Sequence, residues 1–222
     1  MNLDLSQTEE NYLKAIFSLS LSLSKAVSTN AIAEKLETKA SSVTDMIKKL
    51  SEKELVDYKK YQGVSLTVGG KALAIRIVRK HRLWEVFLVK HLNFRWDEVH
   101  DVAEQLEHVK STKLISQLDE YLEFPTHDPH GDPIPDEDGN IDFHAGVMLS
   151  SITLSEKVVV VGVKDSSSSF LKYLDSSGIK LGSLVEVVHK EEFDNSMVIH
   201  IEGKRLSISN QISKNLFVKK QR

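Results

Sequence analysis

The sequence predicts a mainly α-helical chain with a β-rich carboxyl-terminal domain, and three observations support this fold class. Apolar residues recur with helical spacing before residue 124, and short segments rich in β-branched residues dominate after residue 150. All four prolines lie between these regions, in the segment FPTHDPHGDPIPDEDGN at 124–140. Because proline interrupts helices and central strands, this segment is predicted to be a connector. We therefore expect a helical lobe up to about residue 140 and a small β-rich barrel from about residue 150.

The amino-terminal segment has the pattern of a winged helix-turn-helix. A first helix starts near Thr8, Ser28 or Thr29 caps a second short helix, and another helix begins at Ser41 after a turn. The segment at 55–68 then alternates as two strands around a turn that carries Gly63. Groups suited to contacts with phosphates and base edges are Lys39, Ser41, Ser42, Thr44 and Lys48 on the helix, and Lys59, Lys60 and Tyr61 on the hairpin. Asp45 counts against nucleic acid, and a purely structural helical corner with a hairpin is the alternative.

The carboxyl-terminal region predicts four strands and one helix. The strands are expected at 157–163, 183–190, 196–203 and 204–209, and the helix at 166–176.

Composition excludes several classes of protein. The 222 residues are 41% apolar and 27% charged, which is typical of globular chains rather than disordered ones. No run of about 18 apolar residues occurs, and the start lacks a basic segment followed by an apolar one. With no cysteine there is no disulfide, thiolate zinc site or cysteine nucleophile. We expect a cytoplasmic protein without a membrane partner.

Charge is unevenly distributed along the chain. Residues 76–140 hold 8 Lys and Arg against 14 Asp and Glu, and they contain six of the nine histidines. Imidazole and carboxylate groups together are what a divalent cation needs. The alternative is an acidic solvated face with incidental histidines.

The spacing of the histidines and carboxylates makes the metal hypothesis more specific. His81 and Glu85 are four residues apart, and His100, Glu104, Glu107 and His108 follow one predicted helical stripe. Such a stripe would be repulsive without a cation or water against it. Di-metal enzymes repeat a similar motif on two helices, whereas only one such segment exists here, so a metalloenzyme is disfavoured.

These motifs resemble a known family. TEENYLKAI at 8–16, ASSVTDMIKKL at 40–50, RKHRLWE at 79–85 and LEHV at 106–109 look like metal-dependent repressors of the diphtheria toxin repressor and manganese transport regulator family. The connector resembles that of the family, and the tail is similar to its SH3-like (FeoA-like) domain. The resemblance implies a winged helix-turn-helix over 1–72, a helical dimerisation and metal-binding domain over 73–140, and an SH3-like domain over 150–222. It also implies a homodimer that binds palindromic operator DNA and represses metal-uptake genes.

The resemblance also implies two metal sites. Glu104, Glu107 and His108 match ligands of the first site, and Asn11 falls where the family has Asp or Met, with Glu10 beside it as a possible substitute. His81, Glu85 and His100 match the second site, which the connector and tail complete; the nearest matches there are Asp128, His130 and Asp165. Glu104 stands where iron-responsive members carry Cys, so Mn²⁺ is favoured and Fe²⁺ is the alternative.

The sequence therefore predicts a metal-activated repressor. A winged-helix regulator that senses an organic ligand and a carboxylate–histidine metalloenzyme are the alternatives. Without metal, the clustered carboxylates are expected to repel one another. The dimer interface is expected within 85–125, because the apolar side chains there exceed what one small lobe can bury; they include Trp84, Val86, Phe87, Leu88, Val89, Leu92 and Phe94.

Overall fold

A computed structural model describes residues 4–22, 26–59, 62–142 and 146–220, which form two compact units. The first unit comprises the chain up to residue 81 together with 104–116 and 135–140. The second comprises 82–103, 117–134 and the chain from residue 141. None of the helices in these described ranges is long and apolar enough to cross a membrane.

The first unit begins with the predicted helix-turn-helix. Its elements are α1 (Gln7–Ser22), α2 (Thr29–Lys35), α3 (Ala40–Glu52), β1 (Val56–Lys59), β2 (Gly63–Leu66) and the start of α4 (Val68–Leu92). The Ser28 hydroxyl accepts a hydrogen bond from the Ala31 N–H at 3.1 Å, which caps α2 as the sequence predicts. Leu13, Ile16, Ile32, Ile47 and Leu50 are fully buried. Truncating one of these to alanine would cost about 2–5 kcal/mol.

The hairpin of the first unit is the predicted wing. β1 and β2 pair antiparallel, and Val27 bonds to Val64 through backbone contacts of 2.9 and 2.8 Å. Gly63 has a φ of +103°, and a Cβ there would lie 2.8 Å from the Val27 carbonyl oxygen. Only glycine fits this close approach without strain.

An ion-pair cluster around the buried Glu9 carboxylate joins α1 to α3. The Glu9 carboxylate is 1% exposed and lies 2.7 Å from Lys53 Nζ and 3.3 Å from Lys49 Nζ. The Ser6 N–H donates to it at 2.9 Å. Burial alone would raise the pKa of Glu9, but Lys53, Ser6 and Lys49 lower it to about 2. The carboxylate therefore stays charged and fixes α1 against the helix that is predicted to contact DNA.

The predicted helical stripe at 100–108 is wrong in its second half. The helix α5 (Val99–Leu106) ends before Glu107, and the Val109 N–H closes a turn onto the Leu106 carbonyl at 3.1 Å. Glu107 and His108 therefore lie in a turn after α5 and do not continue the helical face of His100 and Glu104. The compact units also divide the stripe, because His100 lies in the second unit and Glu104, Glu107 and His108 lie in the first.

The second unit contains a six-stranded antiparallel sheet. The strands are β3 (Val147–Met148), β4 (Lys157–Val163), β5 (Leu184–Lys190), β6 (Met197–Ile201), β7 (Lys204–Ile208) and β8 (Leu216–Lys220), in the order β3-β8-β4-β5-β6-β7. The helix α7 (Ser168–Ser177) confirms the predicted helix, and β4 to β7 confirm the predicted strands. The sequence pattern missed β3, β8, a helical turn at 149–151 and the short α8 (Asn210–Ser213). These elements have only two to five residues each, too few to establish a period.

Alternate residues of these strands form the core of the second unit. Val158, Val160, Val185, Val187 and Ile199 are almost fully buried. The Trp96 side chain packs against this core, and its indole N–H donates to Asp175 Oδ2 of α7 at 3.1 Å.

The expectation that the apolar side chains of 84–94 need a partner is wrong for three of them. Trp84, Val86 and Leu88 are buried within the chain, at 9%, 2% and 2% exposure. A single chain therefore buries more of α4 than its sequence indicates. Other large apolar side chains of the second unit stay exposed, among them Leu92, which is 52% exposed. Tyr121 is the last residue of α6 (Thr112–Tyr121) and is 60% exposed, and Phe124 follows it at 64%.

Candidate metal centre

A cluster of ligand-type side chains lies in the first unit, between α1 and the turn after α5. The Glu107 side chain is fully buried, and its Oε2 lies 2.6 Å from His81 Nδ1 of α4. His108 Nδ1 lies 2.5 Å from Glu10 Oε2, and His108 Nε2 lies 4.0 Å from Glu107 Oε1. We call Glu10, Asn11, His81, Glu104, Glu107 and His108 the first cluster.

The ring orientation of His108 suits a metal ligand. A carboxylate only accepts, so the short contact to Glu10 places the hydrogen of a neutral imidazole on Nδ1. Nε2 then keeps its lone pair and faces Glu107 Oε1. Two ligand atoms of one ion, each about 2.1 Å from it, stand about 3–4 Å apart. The 4.0 Å separation of Nε2 and Oε1 is compatible with a shared ion.

Asn11 supplies a further observation. Its Oδ1 atom is buried and accepts no hydrogen bond within the described residues. A buried carbonyl oxygen without a donor costs free energy, roughly 1–3 kcal/mol, unless a cation or water satisfies it. Asn11 follows Glu10 on α1, so this oxygen belongs to the helix that orients His108. The donor set of the first cluster therefore fits a hard or borderline divalent cation.

Lys14 of α1 also reaches into this cluster. Its Nζ lies 2.9 Å from Glu104 Oε1 and 2.8 Å from Glu107. The expected repulsion between these carboxylates is therefore relieved by a cation of the chain itself. Lys80 is a second half-buried cation near this cluster: burial lowers its pKa, and the charges of Glu10 and Glu107 oppose that shift.

A second cluster lies in the second unit and combines α4 with the connector. Glu85, Asp128 and His130 are buried, and each offers a ligand atom within 4.8 Å of the others. His130 Nδ1 lies 3.7 Å from Glu85 Oε1, and the half-exposed His100 has its Nδ1 at 3.6 Å from the same oxygen. His130 Nε2 lies 2.7 Å from the Trp96 carbonyl, to which only an N–H can donate. Nδ1 is therefore the ring nitrogen that faces Glu85 and could bind a metal ion.

Burial and the neighbouring carboxylates shift the pKa values of Asp128 and His130 in the second cluster. Burial, followed by the charges of Glu85 and Asp132, raises the pKa of Asp128 to about 7. Burial alone would lower the pKa of His130, but the hydrogen bond and charge of Glu85 raise it to about 9. In place of the imidazole proton, a divalent cation could balance Glu85 and Asp128.

Glycine lets the connector bring the Asp128 and His130 side chains close to Glu85. Gly131 has a φ of +87°, and a Cβ there would lie 2.2 Å from the Val161 carbonyl oxygen of β4. The Asp128 carboxylate accepts from the N–H groups of His130 and Asp132 at 2.8 and 3.0 Å. Local turn geometry therefore positions Asp128 and His130 together.

The remaining predicted ligands of the second site are His81 and Asp165. His81 lies one turn before Glu85 on α4, and its Nδ1 also contacts Glu107 of the first cluster. Asp165 caps the turn before α7, where its Oδ1 accepts from the Ser167 N–H at 2.8 Å, and it is not grouped with Glu85, Asp128 and His130 among the described residues. Both assignments stay predictions.

The residues predicted to contact DNA lie mainly on the surface of the first unit. Lys39, Ser41, Ser42, Lys48 and Lys59 are exposed, whereas Thr44 is half-buried. The Thr44 hydroxyl donates to the Ala40 carbonyl at 3.0 Å, and Asp45 Oδ1 lies 3.6 Å from Lys48 Nζ. Lys60 and Tyr61 lie outside the described residues.

Sequence reasoning missed two contacts of the first cluster, the Glu10–His108 pair and the Lys14 ammonium. The partners are 98 and 90 residues apart along the chain, so spacing alone could not join them. One signal was available: Glu10, Asn11 and Lys14 recur at i, i+1 and i+4, which places Glu10 and Lys14 on one face of α1.

Comparisons with known proteins match most of the chain. The family model for the iron dependent repressor, N-terminal DNA binding domain, covers residues 4–64, and the model for its metal binding and dimerisation domain covers 67–136. The FeoA domain model covers 147–220. A solved structure described as a manganese-dependent transcriptional repressor in complex with manganese has a TM-score of 0.86 and 36% identity, over 96% of this chain and 100% of that one. The chain belongs to the diphtheria toxin repressor and manganese transport regulator family.

Curated members of this family differ in how much of their length aligns. The iron-dependent repressor IdeR of Mycobacterium leprae is 36% identical over 143 residues, which is 64% of this chain and 60% of that protein. The diphtheria toxin repressor of Corynebacterium diphtheriae is 28% identical over 221 residues, covering 95% of this chain and 96% of that protein.

Membership in this family of metal-dependent transcriptional repressors confirms the predicted fold class and general function. It also decides against the metalloenzyme alternative, because members of the family are repressors.

Proposed function

We propose that this protein is a Mn²⁺-activated repressor, with Fe²⁺ as the alternative metal, that binds palindromic operators as a cytoplasmic homodimer and controls metal-uptake genes. The observation that carries the proposal is the first cluster, in which α1 meets the turn after α5 inside the unit that holds the helix-turn-helix. A metal site at this place can influence the DNA-binding helices directly.

In the first site, Glu104, Glu107, His108 and Asn11 are the proposed ligands. Glu107 Oε1 and His108 Nε2 lie 4.0 Å apart, and the buried Asn11 oxygen provides a neutral donor from α1. Glu10 is proposed to orient the His108 ring rather than to bind metal, because its carboxylate contacts Nδ1. Such carboxylate–histidine–metal arrangements are common around protein metal sites.

Chemistry favours Mn²⁺ without excluding Fe²⁺. The first cluster offers carboxylate, amide and imidazole donors, and the chain has no cysteine to supply a thiolate. The bound cation would supply positive charge and directional coordination between α1 and the residues after α5. Glu9 then connects α1 to α3 through Lys49 and Lys53, so an ordered α1 holds the proposed recognition helix in place.

The second site is proposed to use Glu85, His100, Asp128 and His130. His81 and Asp165 complete the set predicted from the family resemblance. Because three of these residues are buried and the connector supplies two of them, this site would fix the connector against α4. We propose a structural role for it.

DNA is proposed to meet α3 and the wing. The Lys39 side chain makes no capping hydrogen bond at the start of α3, and the first N–H groups of this helix are proposed to bind a phosphate. Ser41, Ser42 and Thr44 would read base edges, and Lys48, Lys59, Lys60 and Tyr61 would contact the backbone.

Selection of operator DNA from a random pool tests the proposal. With Mn²⁺ or Fe²⁺ present, a palindromic sequence should be enriched, and with a chelator it should not. Operator affinity is then measured across a Mn²⁺ titration at constant ionic strength, for the wild type, His108→Ala and the exposed control His200→Ala.

We expect Mn²⁺ to raise operator affinity in the wild type and in His200→Ala, and to have little effect in His108→Ala. By linkage, operator DNA should tighten Mn²⁺ binding by the same factor. Equal affinity with chelator and with saturating Mn²⁺ in the wild type would refute the sensor proposal and favour a regulator of organic ligands.

A further inference from the structure

The Lys14 ammonium group of the protein itself contacts the carboxylates of the first cluster. Lys14 Nζ lies 2.9 Å from Glu104 Oε1 and 2.8 Å from Glu107, whose side chain is fully buried. The Lys14 side chain itself is only 16% exposed. These are charge-assisted hydrogen bonds of good length, not a loose surface pair.

The position of this ammonium conflicts with a metal bound to the same carboxylates. Ligand oxygens approach Mn²⁺ or Fe²⁺ at about 2.1 Å, so an ion shared by Glu104 and Glu107 would lie in the space next to Lys14 Nζ. Two cations in a half-buried site repel strongly, because the low local dielectric screens them poorly. Lys14 must therefore move away when both carboxylates coordinate an ion.

We propose that Lys14 is an internal competitor for the first site, which raises the concentration of divalent cation needed to fill it. This inference rests on the proposed function, since it assigns Glu104 and Glu107 as ligands. The ammonium stabilises the carboxylate pair when no ion is held, and each binding event replaces it.

Neighbouring residues support this role. Lys14 stands one helical turn after Glu10 on α1, so its displacement and the orientation of His108 involve the same helix. Replacement of Lys14 by a divalent cation would thus exchange one electrostatic link between α1 and the carboxylates of Glu104 and Glu107 for another of different strength. The Lys14 side chain would therefore influence both the concentration of metal needed to fill the first site and the stability of the position of α1.

The test compares full-length wild type, Lys14→Met, Lys14→Arg and the control Lys35→Met, which removes the same charge from an exposed position of α2. Mn²⁺ affinity is measured by competition with a fluorescent chelator at constant ionic strength. The binding step that disappears in His108→Ala identifies the first site. Thermal denaturation midpoints are recorded with chelator and with saturating Mn²⁺, and Lys14→Gln replaces Lys14→Met if the latter does not fold.

We expect Lys14→Met to bind Mn²⁺ about tenfold more tightly at the first site, with Lys14→Arg and Lys35→Met close to the wild type. With chelator, Lys14→Met should melt at a lower temperature than the wild type, and saturating Mn²⁺ should remove that difference. A purely structural lysine would lower the midpoint in both conditions and would not tighten binding.

Unchanged or weaker Mn²⁺ binding in Lys14→Met would overturn the inference. If the wild type itself shows no binding step that depends on His108, the proposed function fails instead. The two failures are therefore distinguishable in one set of titrations.

Discussion

Glu10 and His108 show how a single contact assigns roles to neighbouring residues. Because Glu10 holds Nδ1 of His108, we expect Glu10→Gln to weaken Mn²⁺ binding at the first site by roughly 10-fold to 100-fold, the usual effect of losing a residue that orients a ligand. Chelator competition measures this, with the exposed Glu34→Gln of α2 as the control. A loss as complete as that of His108→Ala would instead make Glu10 a ligand.

The residues proposed to contact DNA should affect DNA affinity and base preference separately. Lys59→Ala should weaken binding to all sequences and reduce the salt slope of log affinity by about 1, because this wing lysine is proposed to contact phosphates. Ser41→Ala should change base preference and leave the slope unaltered. Binding isotherms at several salt concentrations, on the selected operator and on scrambled DNA, measure both effects. A shift of base preference in Lys59→Ala with an unchanged slope would contradict these roles.

Among the secondary-structure elements, the segment between α4 and α5 is tied to α7 by charge. Asp97 lies 2.8 Å from Arg95 Nε and 3.7 Å from Lys172 Nζ. Burial alone would raise the pKa of Asp97, but Arg95 and Lys172 lower it below the ordinary 3.8. A lowered native pKa stabilises the fold above the unfolded pKa, and this stability is lost as the pH falls through the native pKa.

Asp97→Asn should therefore reduce the free energy of unfolding of the second unit by about 1 kcal/mol at pH 7, since both cationic partners are largely exposed. The difference from wild type should shrink as the pH falls from about 5 towards 3. Urea denaturation followed by tryptophan fluorescence measures it, and the exposed Asp138→Asn is the control. A difference that grows towards acid would show that another group is responsible.

The extent of successful sequence prediction also varies between elements. The helix-turn-helix, the wing and β4 to β7 follow from periodicity and turn residues, because their packing is local or alternates along one strand. The end of α5 at Leu106 did not follow, since nothing in the sequence breaks the helix there. Glu107 and Lys14 meet only because tertiary packing brings distant segments together, and the spacing of residues along the chain gives no information about this contact.

For the whole molecule, the exposed apolar residues Leu92, Tyr121 and Phe124 are the proposed dimer surface. The Tyr121 ring also contacts His91 and Phe87 of α4, at centroid distances of 4.8 and 6.2 Å. Phe124→Asp should give a monomer in sedimentation at micromolar concentration, because a two-fold interface would bury the charge twice. The matched control is Phe193→Asp, since Phe193 is 96% exposed on the turn between β5 and β6.

A wild type that sediments as a monomer, or a Phe124→Asp variant that stays dimeric, would contradict this surface. A monomeric variant should also lose its preference for palindromes over half-sites, because one subunit supplies a single recognition helix.

Glu9 and Glu10 are consecutive, yet one contacts the lysines of α3 and the other contacts His108. One peptide bond of α1 therefore separates the residue that contacts the proposed metal site from the residue that contacts the proposed recognition helix. In genetic terms, this makes α1 the place to look for second-site suppressors. Strains that carry a weakened first site should regain repression mainly through changes in α1 and in Lys49 or Lys53. Insertion of one residue between Glu10 and Lys14 should be harsher than most substitutions, because it rotates the second half of the helix face by about 100°.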